Sequence, residues 1–423
     1  MSTLTRRIAE RWHCLWFQSE TSFNLDVIRA GLGFCMLFAY AGLTPYINEL
    51  YSDQGWISDQ AVYLYRDHPW FQSLFFYLPD QYQLAAHWVF LVSCLLFAVG
   101  WKTRYVKWLV LVFQISYAYR NPLITYGVDS ILCSVLFILC LAPIGHSLSL
   151  DRWAELKRAK LQDLHQHPAA YQSIYLFMFR RLIQIQMAIF FLFAGIEKLR
   201  GEYWWSGDAL WVALNNYEYT NIPLGFFAEH YWLINLLTYF TLLVEAGYFY
   251  LIWQRSTRPW FLGAAITLHL GIATLMGLYY FSLVMIFCHL SFVRREWYAR
   301  LFDGWRNKMG RMEMIYDGDC GFCKRAMAWT LAFDGLQQIS IRDYRRSSSP
   351  LVSKEESDLA LYTVNHRDER FAGFDAYRYV VLRVPGLWWL VPLFYVPWLS
   401  RAVGRPLYLW IASHRHVISS CTG

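Results

Sequence analysis

Eight apolar runs, near residues 25–45, 84–100, 105–119, 129–145, 182–198, 232–253, 260–276 and 279–293, decide what this chain can fold into. One soluble core cannot bury so many runs of this length. In lipid each backbone N–H and C=O has to be satisfied within its own segment, which leaves the helix. The pattern predicts a polytopic α-helical membrane protein of about eight spans, several of them short enough to imply tilt or burial in protein. Composition agrees, since 57% of the residues are hydrophobic and only 16% are charged, which is too apolar for an ordinary soluble domain.

The loops alternate in charge. Arg6, Arg7 and Arg11 precede the first run, and an acidic, aromatic loop with Glu49, Asp53, Asp59 and Asp67 follows it. Lys102, Arg104 and Lys107 mark the opposite side, as do Arg152, Lys157, Arg158 and Lys160, then Arg255 and Arg258, then Arg294, Arg295 and Arg300. The positive-inside rule therefore predicts a multi-pass plasma (inner) membrane protein with both termini cytoplasmic. The net charge of +7 reports this topology and gives no reason to expect nucleic acid; the lipid bilayer is the first partner. No apolar core with a small-residue cleavage site directly follows the N-terminal arginines, so a removed signal peptide is not expected.

The texture changes after the last run. Residues 1–22 read as a cytosolic N-terminal segment, 23–295 as the membrane domain, 296–311 as a basic linker and 312–423 as an α/β domain. Met312 to Tyr316 is strand-like, Cys320 to Phe333 helical and Ile339 to Ile341 strand-like again, a β-α-β opening. Leu359 to Val364 adds a strand and Phe374 to Val384 a helix. The aromatic tail from Gly386 to Ile418 is broken by Pro392 and Pro397 into short helices that pack on the domain or lie at the membrane interface.

Two thiols sit where the first strand turns into the helix, in Asp317-Gly318-Asp319-Cys320-Gly321-Phe322-Cys323. A cysteine at a helix N-terminus faces unpaired N–H groups and the positive end of the helix dipole, which stabilise its thiolate. The adjacent Asp319 carboxylate works against that charge. The reducing cytosol makes such a pair catalytic or metal-binding rather than structural. Cys35, Cys94, Cys133, Cys140 and Cys288 fall inside apolar runs and pack as small hydrophobes.

The segment from Ile315 to Cys323, with Gly373-Phe374-Asp375-Ala376 and the tail Trp410-Ile411-Ala412, His414 and Arg415, resembles the DCC family of thioredoxin-like thiol–disulfide oxidoreductases over nearly all of 312–423. The resemblance implies Cys320 as the attacking thiolate and Cys323 as the resolving thiol. It also implies that Asp317 or Asp319 positions the loop or shuttles protons, and that the partner is a thiol or disulfide protein. The competing reading is a zinc half-site completed by His414, His416 and Cys421. Against it, there is no second CxxC and the ligand spacing is irregular.

Ionisable groups inside spans are costly and mark function or pairing. Glu197 and Lys198 end the fifth run, Glu245 lies in the sixth, His269 in the seventh, and Asp129 opens the fourth after Arg120 and Asn121. These are the candidate ligand-binding residues of a membrane pocket. A lysine at a span end is more often a snorkelling anchor, and a mid-span histidine more often a hydrogen-bonded helix contact. A carboxylate in mid-span needs a proton or a cationic partner, for which Lys198, Arg120 or His269 would serve Glu245.

Ala194-Gly195-Ile196-Glu197-Lys198-Leu199, followed by Trp204-Trp205 and Gly207, is similar to the HTTM and vitamin K-dependent γ-carboxylase membrane family over about residues 20–295. The resemblance implies Lys198 as a catalytic base and a quinone or quinol as the small molecule bound, with no other resident cofactor or metal expected. Pro122 stands where that family carries a histidine, and the family's large lumenal domain is missing, so protein glutamate carboxylation is not expected. The predicted topology separates Lys198 from Cys320 by about 30 Å of hydrocarbon. The leading expectation is thus a membrane-bound CxxC oxidoreductase fused to a carboxylase-like membrane domain that binds or oxidises a quinol-like ligand. The alternatives are a carboxylase- or epoxidase-like enzyme based on Lys198, and a non-enzymatic lipid-binding or transport unit with a zinc-held module.

Overall fold

The computed structural model describes residues 10, 12–13, 15–65, 72–219 and 222–420, the side chains of 65 and 415–420 excepted. Arg6, Arg7, Arg11, Asp67 and Cys421 lie outside the described residues, and the side chain of His416 outside the described side chains. The chain divides into two compact units. The first comprises 1–151 and 170–293, the second 152–169 and 294–423.

All eight apolar runs are helical in the first unit. They form α1 (Phe23–Leu43), α2 (Gln83–Val99), α3 (Thr103–Arg120) and α4 (Gly127–Leu141). After α5 (Leu150–Gln162) come α6 (Ile174–Arg200), α7 (Tyr231–Leu251), α8 (Arg258–Met276) and α9 (Tyr279–His289). Of the eight expected spans, five are helices long and apolar enough to cross a membrane among the described residues, those within Phe23–Tyr51, Asp80–Val99, Ile174–Arg200, Tyr231–Leu251 and Arg258–Met276. At 1.5 Å per residue a helix needs about 20 residues to cross about 30 Å of hydrocarbon. The α4 helix has 15 residues and α9 has 11, while α3 carries Arg104, Lys107 and Arg120.

The helices are apolar on both faces, as lipid contact demands. On α2, His87, Phe90, Leu91, Cys94 and Phe97 are buried while Trp88, Val92 and Leu95 are exposed. At the start of α1, fully buried Asp26 accepts N–H bonds from Gly145 at 2.7 Å and Ser147 at 2.9 Å, and pairs with fully buried Arg29 at 3.1 Å. Arg29 also donates to the carbonyls of Phe97, Ala98 and Leu148, which pins the end of α2 and the loop after α4 to α1. Arg120 plays the same part on the acidic loop, donating to the carbonyls of Ser52 and Ile57 and pairing with Asp59 at 2.8 Å. Asn121 donates to the Leu50 carbonyl at 2.7 Å. Burying a charge without such partners would cost several kcal/mol.

In the second unit, α10 (Arg295–Met309) leads into a four-stranded sheet. Strands β1 (Met312–Tyr316) and β2 (Ile339–Asp343) run parallel and are joined by α11 (Gly321–Phe333). After α12 (Lys354–Leu359), β3 (Tyr362–Asn365) pairs antiparallel with β1, and β4 (Arg370–Ala372) with β3, giving the order β2-β1-β3-β4. The hairpin partner β4 is an addition to the strands that periodicity predicts. Helix α13 (Gly373–Arg383) packs its Tyr379, Val380 and Val381 against Met312, Met314 and Met327, and α14 (Arg405–Ser420) closes the chain. Residues 152–169 belong to this unit. The Trp153 ring lies 4.8 Å from Trp329 and 5.1 Å from Phe333, both on α11, and Lys157 Nζ sits 3.9 Å over Trp329. The loop between the fourth and fifth apolar runs is therefore part of the body that carries the two thiols.

Candidate active site

The thiol pair is built by the β1–α11 turn. Cys320 is the N-cap of α11, and its Sγ accepts the Cys323 N–H at 3.3 Å. The sulfur thus takes one of the donors that a helix start leaves unpaired, the place where a thiolate is stabilised. No disulfide joins the two cysteines. Cys320 is buried, at 4% exposure, and Cys323 is half-buried against the β1–α13 core.

The turn before Cys320 is held by residues that motif reading passes over. Asp317, 5% exposed, accepts the Asp319 N–H at 3.0 Å and is gripped by Arg345 through Nε at 3.2 Å and Nη2 at 3.4 Å. Arg345 also pairs with Asp358 at 3.1 Å and reaches Asp319 at 3.9 Å. Asp319 itself is largely solvent-exposed. The guanidinium therefore counters the two acids that precede Cys320. Asp343, at the end of β2, receives the Gly318 N–H at 3.1 Å. A Cβ on Gly318 would fall 1.9 Å from the Asp343 carboxylate, so a larger residue there would push Asp343 off the Gly318 N–H. The signal that would have found Arg345 is Asp343-Tyr344-Arg345-Arg346, a charged cluster directly after the strand that runs parallel to β1.

Burial pushes the Asp317 carboxyl up, but the hydrogen bonds from Arg345 and the Asp319 N–H, with the Arg345 charge, more than offset it and hold it below the usual range. A carboxyl depressed on folding stabilises the fold above its unfolded value, about 3.9, and that stability is lost as pH falls through the folded value. Thermal unfolding of the C-terminal unit is therefore expected to show an acid loss below about pH 4 that Asp317→Asn flattens. An unchanged acid limb in the variant would remove Asp317 from the turn's support.

In the membrane unit, Gly195 of α6 meets the backbone of Ala246 of α7, an added Cβ there lying 3.0 Å from Ala246. Small residues allow such close helix approach. It brings Lys198 Nζ to 2.7 Å from Glu245 Oε2. The pair faces a cavity of about 300 Å³ that His269, Phe191, Phe281 and Trp204 also line. Lys198 lies 5.2 Å over the Trp204 ring. His269 is buried, with no protein hydrogen-bond partner on either ring nitrogen among the described residues. Its ring lies 5.3 Å from that of His289, whose Nδ1 is 2.7 Å from the Tyr248 hydroxyl. His289, at the end of an apolar run, is a buried histidine that sequence reading passes over.

The structure thus gathers three of the predicted pocket residues, Lys198, Glu245 and His269. It places the others elsewhere. Glu197 is exposed and pairs with Arg200 at 3.0 Å, Arg120 and Asn121 bind the acidic loop, and Asp129 lines a separate cavity. Of the residues in the zinc alternative, His414 is exposed, its Nδ1 2.9 Å from the Trp410 carbonyl. No group of three or more His, Cys, Asp or Glu is placed to hold a metal among the described residues.

Residues 17–297 match the family model of the HTTM domain, and residues 314–421 match that of the DCC1-like thiol-disulfide oxidoreductase. Comparisons with curated proteins and with solved structures give no significant match. Among the described residues, five helices long and apolar enough to cross a membrane fall within the first match, and a four-stranded sheet with two cysteines at a strand-to-helix turn falls within or at the edge of the second. This membrane protein belongs to the HTTM domain family and carries a C-terminal DCC1-like thiol-disulfide oxidoreductase domain.

Proposed function

We propose that the Cys320/Cys323 pair catalyses thiol–disulfide exchange with a protein partner while the HTTM unit holds it at the membrane. The observation that carries this reading is Cys320 Sγ at the N-cap of α11, within hydrogen-bond reach of the Cys323 N–H. The strand order β2-β1-β3-β4, with β1 and β2 parallel and the hairpin antiparallel, supports a thioredoxin-like frame for it. The Cys320 thiolate attacks one sulfur of the partner's disulfide, forming a mixed disulfide and releasing the other sulfur as a thiolate. Cys323, as thiolate, then attacks Cys320 Sγ and releases the partner's second thiolate. Two electrons pass to the partner, and the CxxC is left as a disulfide. Because Cys320 is buried, the partner has to displace part of the 317–319 turn, of which Asp319 is exposed, to reach its sulfur. The basic residues on residues 152–160 and 294–300 support a cytoplasmic placement of the domain.

The test is thiol alkylation with mass spectrometry on the full chain across a glutathione redox series. Cys320 and Cys323 are expected to lose alkylation together as the poise becomes oxidising. Failure to form a disulfide at any poise overturns the reading.

One observation favours a second role, binding a quinol-like ligand and taking its hydroxyl proton: the convergence of Lys198, Glu245 and His269 on one apolar cavity. An ammonium paired with a carboxylate at 2.7 Å is not a base. Transfer of the Lys198 proton to Glu245 would free the amine, and the unpartnered His269 ring would hold a ligand oxygen. Binding and deprotonation of a hydroquinone that survive Lys198→Ala unchanged would sink it.

A further inference from the structure

We propose that the membrane unit has a second ligand site, a tyrosine-walled cavity around Asp129, which takes an organic cation, an ammonium carrying apolar substituents. The cavity measures about 500 Å³ and shares no lining residue with the one at Lys198. Its walls include Tyr40, Tyr51, Trp56, Tyr117, Tyr126 and Tyr280, with Glu49 also on the lining. Volume of this order suits a small molecule.

The chemistry of the walls selects the ligand's charge. Asp129 is 8% exposed and accepts from Gln114 Nε2 at 3.2 Å and from the Tyr126 N–H at 3.1 Å. Gln114 is fixed in turn by the Tyr40 hydroxyl, which donates to its Oε1 at 3.1 Å. Among the described residues no Lys, Arg or His forms an ion pair with Asp129. Arg120 is committed to Asp59 and to the carbonyls of Ser52 and Ile57. A buried carboxylate held by neutral donors alone still lacks its counter-charge. Aromatic rings, which make up much of this lining, attract a cation through their quadrupoles, as in the aromatic cages that bind quaternary ammonium groups.

Metal ions and anions fit less well. Ca²⁺ needs about six to eight oxygen ligands and Mg²⁺ near-octahedral oxygens, whereas this lining is mostly aromatic and aliphatic, with one buried carboxylate. Asp129 and Glu49 repel anions. The Tyr280 hydroxyl has no protein partner among the described residues and stands on the same wall, free to accept a polar group of the ligand.

The experiment is calorimetric titration of the full chain in lipid nanodiscs with phenyltrimethylammonium and with tert-butylbenzene, its uncharged carbon isostere, subtracting empty nanodiscs. One saturable site is expected for the cation, with the isostere at least tenfold weaker. Asp129→Asn is expected to weaken the cation at least tenfold and leave the isostere unchanged. Tyr126→Leu, at a half-exposed wall position, is expected to weaken the cation several-fold without lowering thermal stability. Equal affinity for the two probes, an Asp129→Asn variant that binds the cation as before, or no saturable cation binding overturns the proposal. Should Asp129→Asn not fold, Tyr126→Leu decides, since an unchanged cation affinity there contradicts the aromatic wall.

Discussion

Cys320→Ser is expected to reduce thiol–disulfide exchange by the full chain to background, whereas Cys323→Ser stalls it as a mixed disulfide that accumulates with the partner. A serine hydroxyl in the N-cap position keeps the hydrogen bond to the Cys323 N–H and with it the fold of the turn. It lacks the accessible anion that attacks a disulfide, so the loss reports chemistry rather than unfolding. Non-reducing gels with mass spectrometry of the trapped adduct read both variants. The two thiols differ in exposure in the opposite sense to their assigned order, Cys320 being buried and Cys323 half-buried. If Cys320→Ser traps the adduct and Cys323→Ser abolishes exchange, Cys323 is the attacking thiol.

Lys198→Met is expected to destabilise the membrane unit by about 3 kcal/mol, because it leaves the Glu245 carboxylate enclosed between α6 and α7 with its cationic partner gone. The double variant Lys198→Met/Glu245→Leu is expected to recover most of that loss, since an apolar pair of similar volume removes the uncompensated charge. Denaturant titration in detergent micelles measures both. The cycle separates structural from chemical roles: a double variant that is stable yet turns over no ligand leaves the pair a chemical task, and a single variant of unchanged stability contradicts a closed ion pair.

The thiol domain was the more legible half. Met312 to Tyr316, the helix to Phe333 and the strand from Ile339 stand where apolar periodicity and the Asp-Gly-Asp turn place them, since these elements follow local pattern. The support of the turn did not follow, because Arg345 and Asp343 are distant from Asp317 and Gly318 in sequence and meet them only through the parallel pairing of β1 with β2. In the membrane unit, charges inside apolar runs were visible as anomalies, but not their partners. Asp26 and Arg29, in the first turns of a span, form an anchor through carbonyls of α2 and of the loop after α4. Hydropathy marks apolar helices whether or not they are long enough to cross, and among the described residues five of the eight runs are.

By itself the sequence determined the membrane-embedded helical class, the α/β domain behind it and the two thiols at a helix start. Each is set by local spacing, which fixes helix, strand and turn whatever the rest of the chain does. Only the tertiary structure decided that Lys198 pairs with Glu245, that Arg120 and Asn121 serve the acidic loop, and that Asp129 faces a tyrosine-walled cavity of its own. A charge in a low-dielectric interior takes whichever partner the packing brings within reach. For Lys198 that partner is chosen by the close approach of Gly195 to Ala246, a contact between segments far apart in the chain.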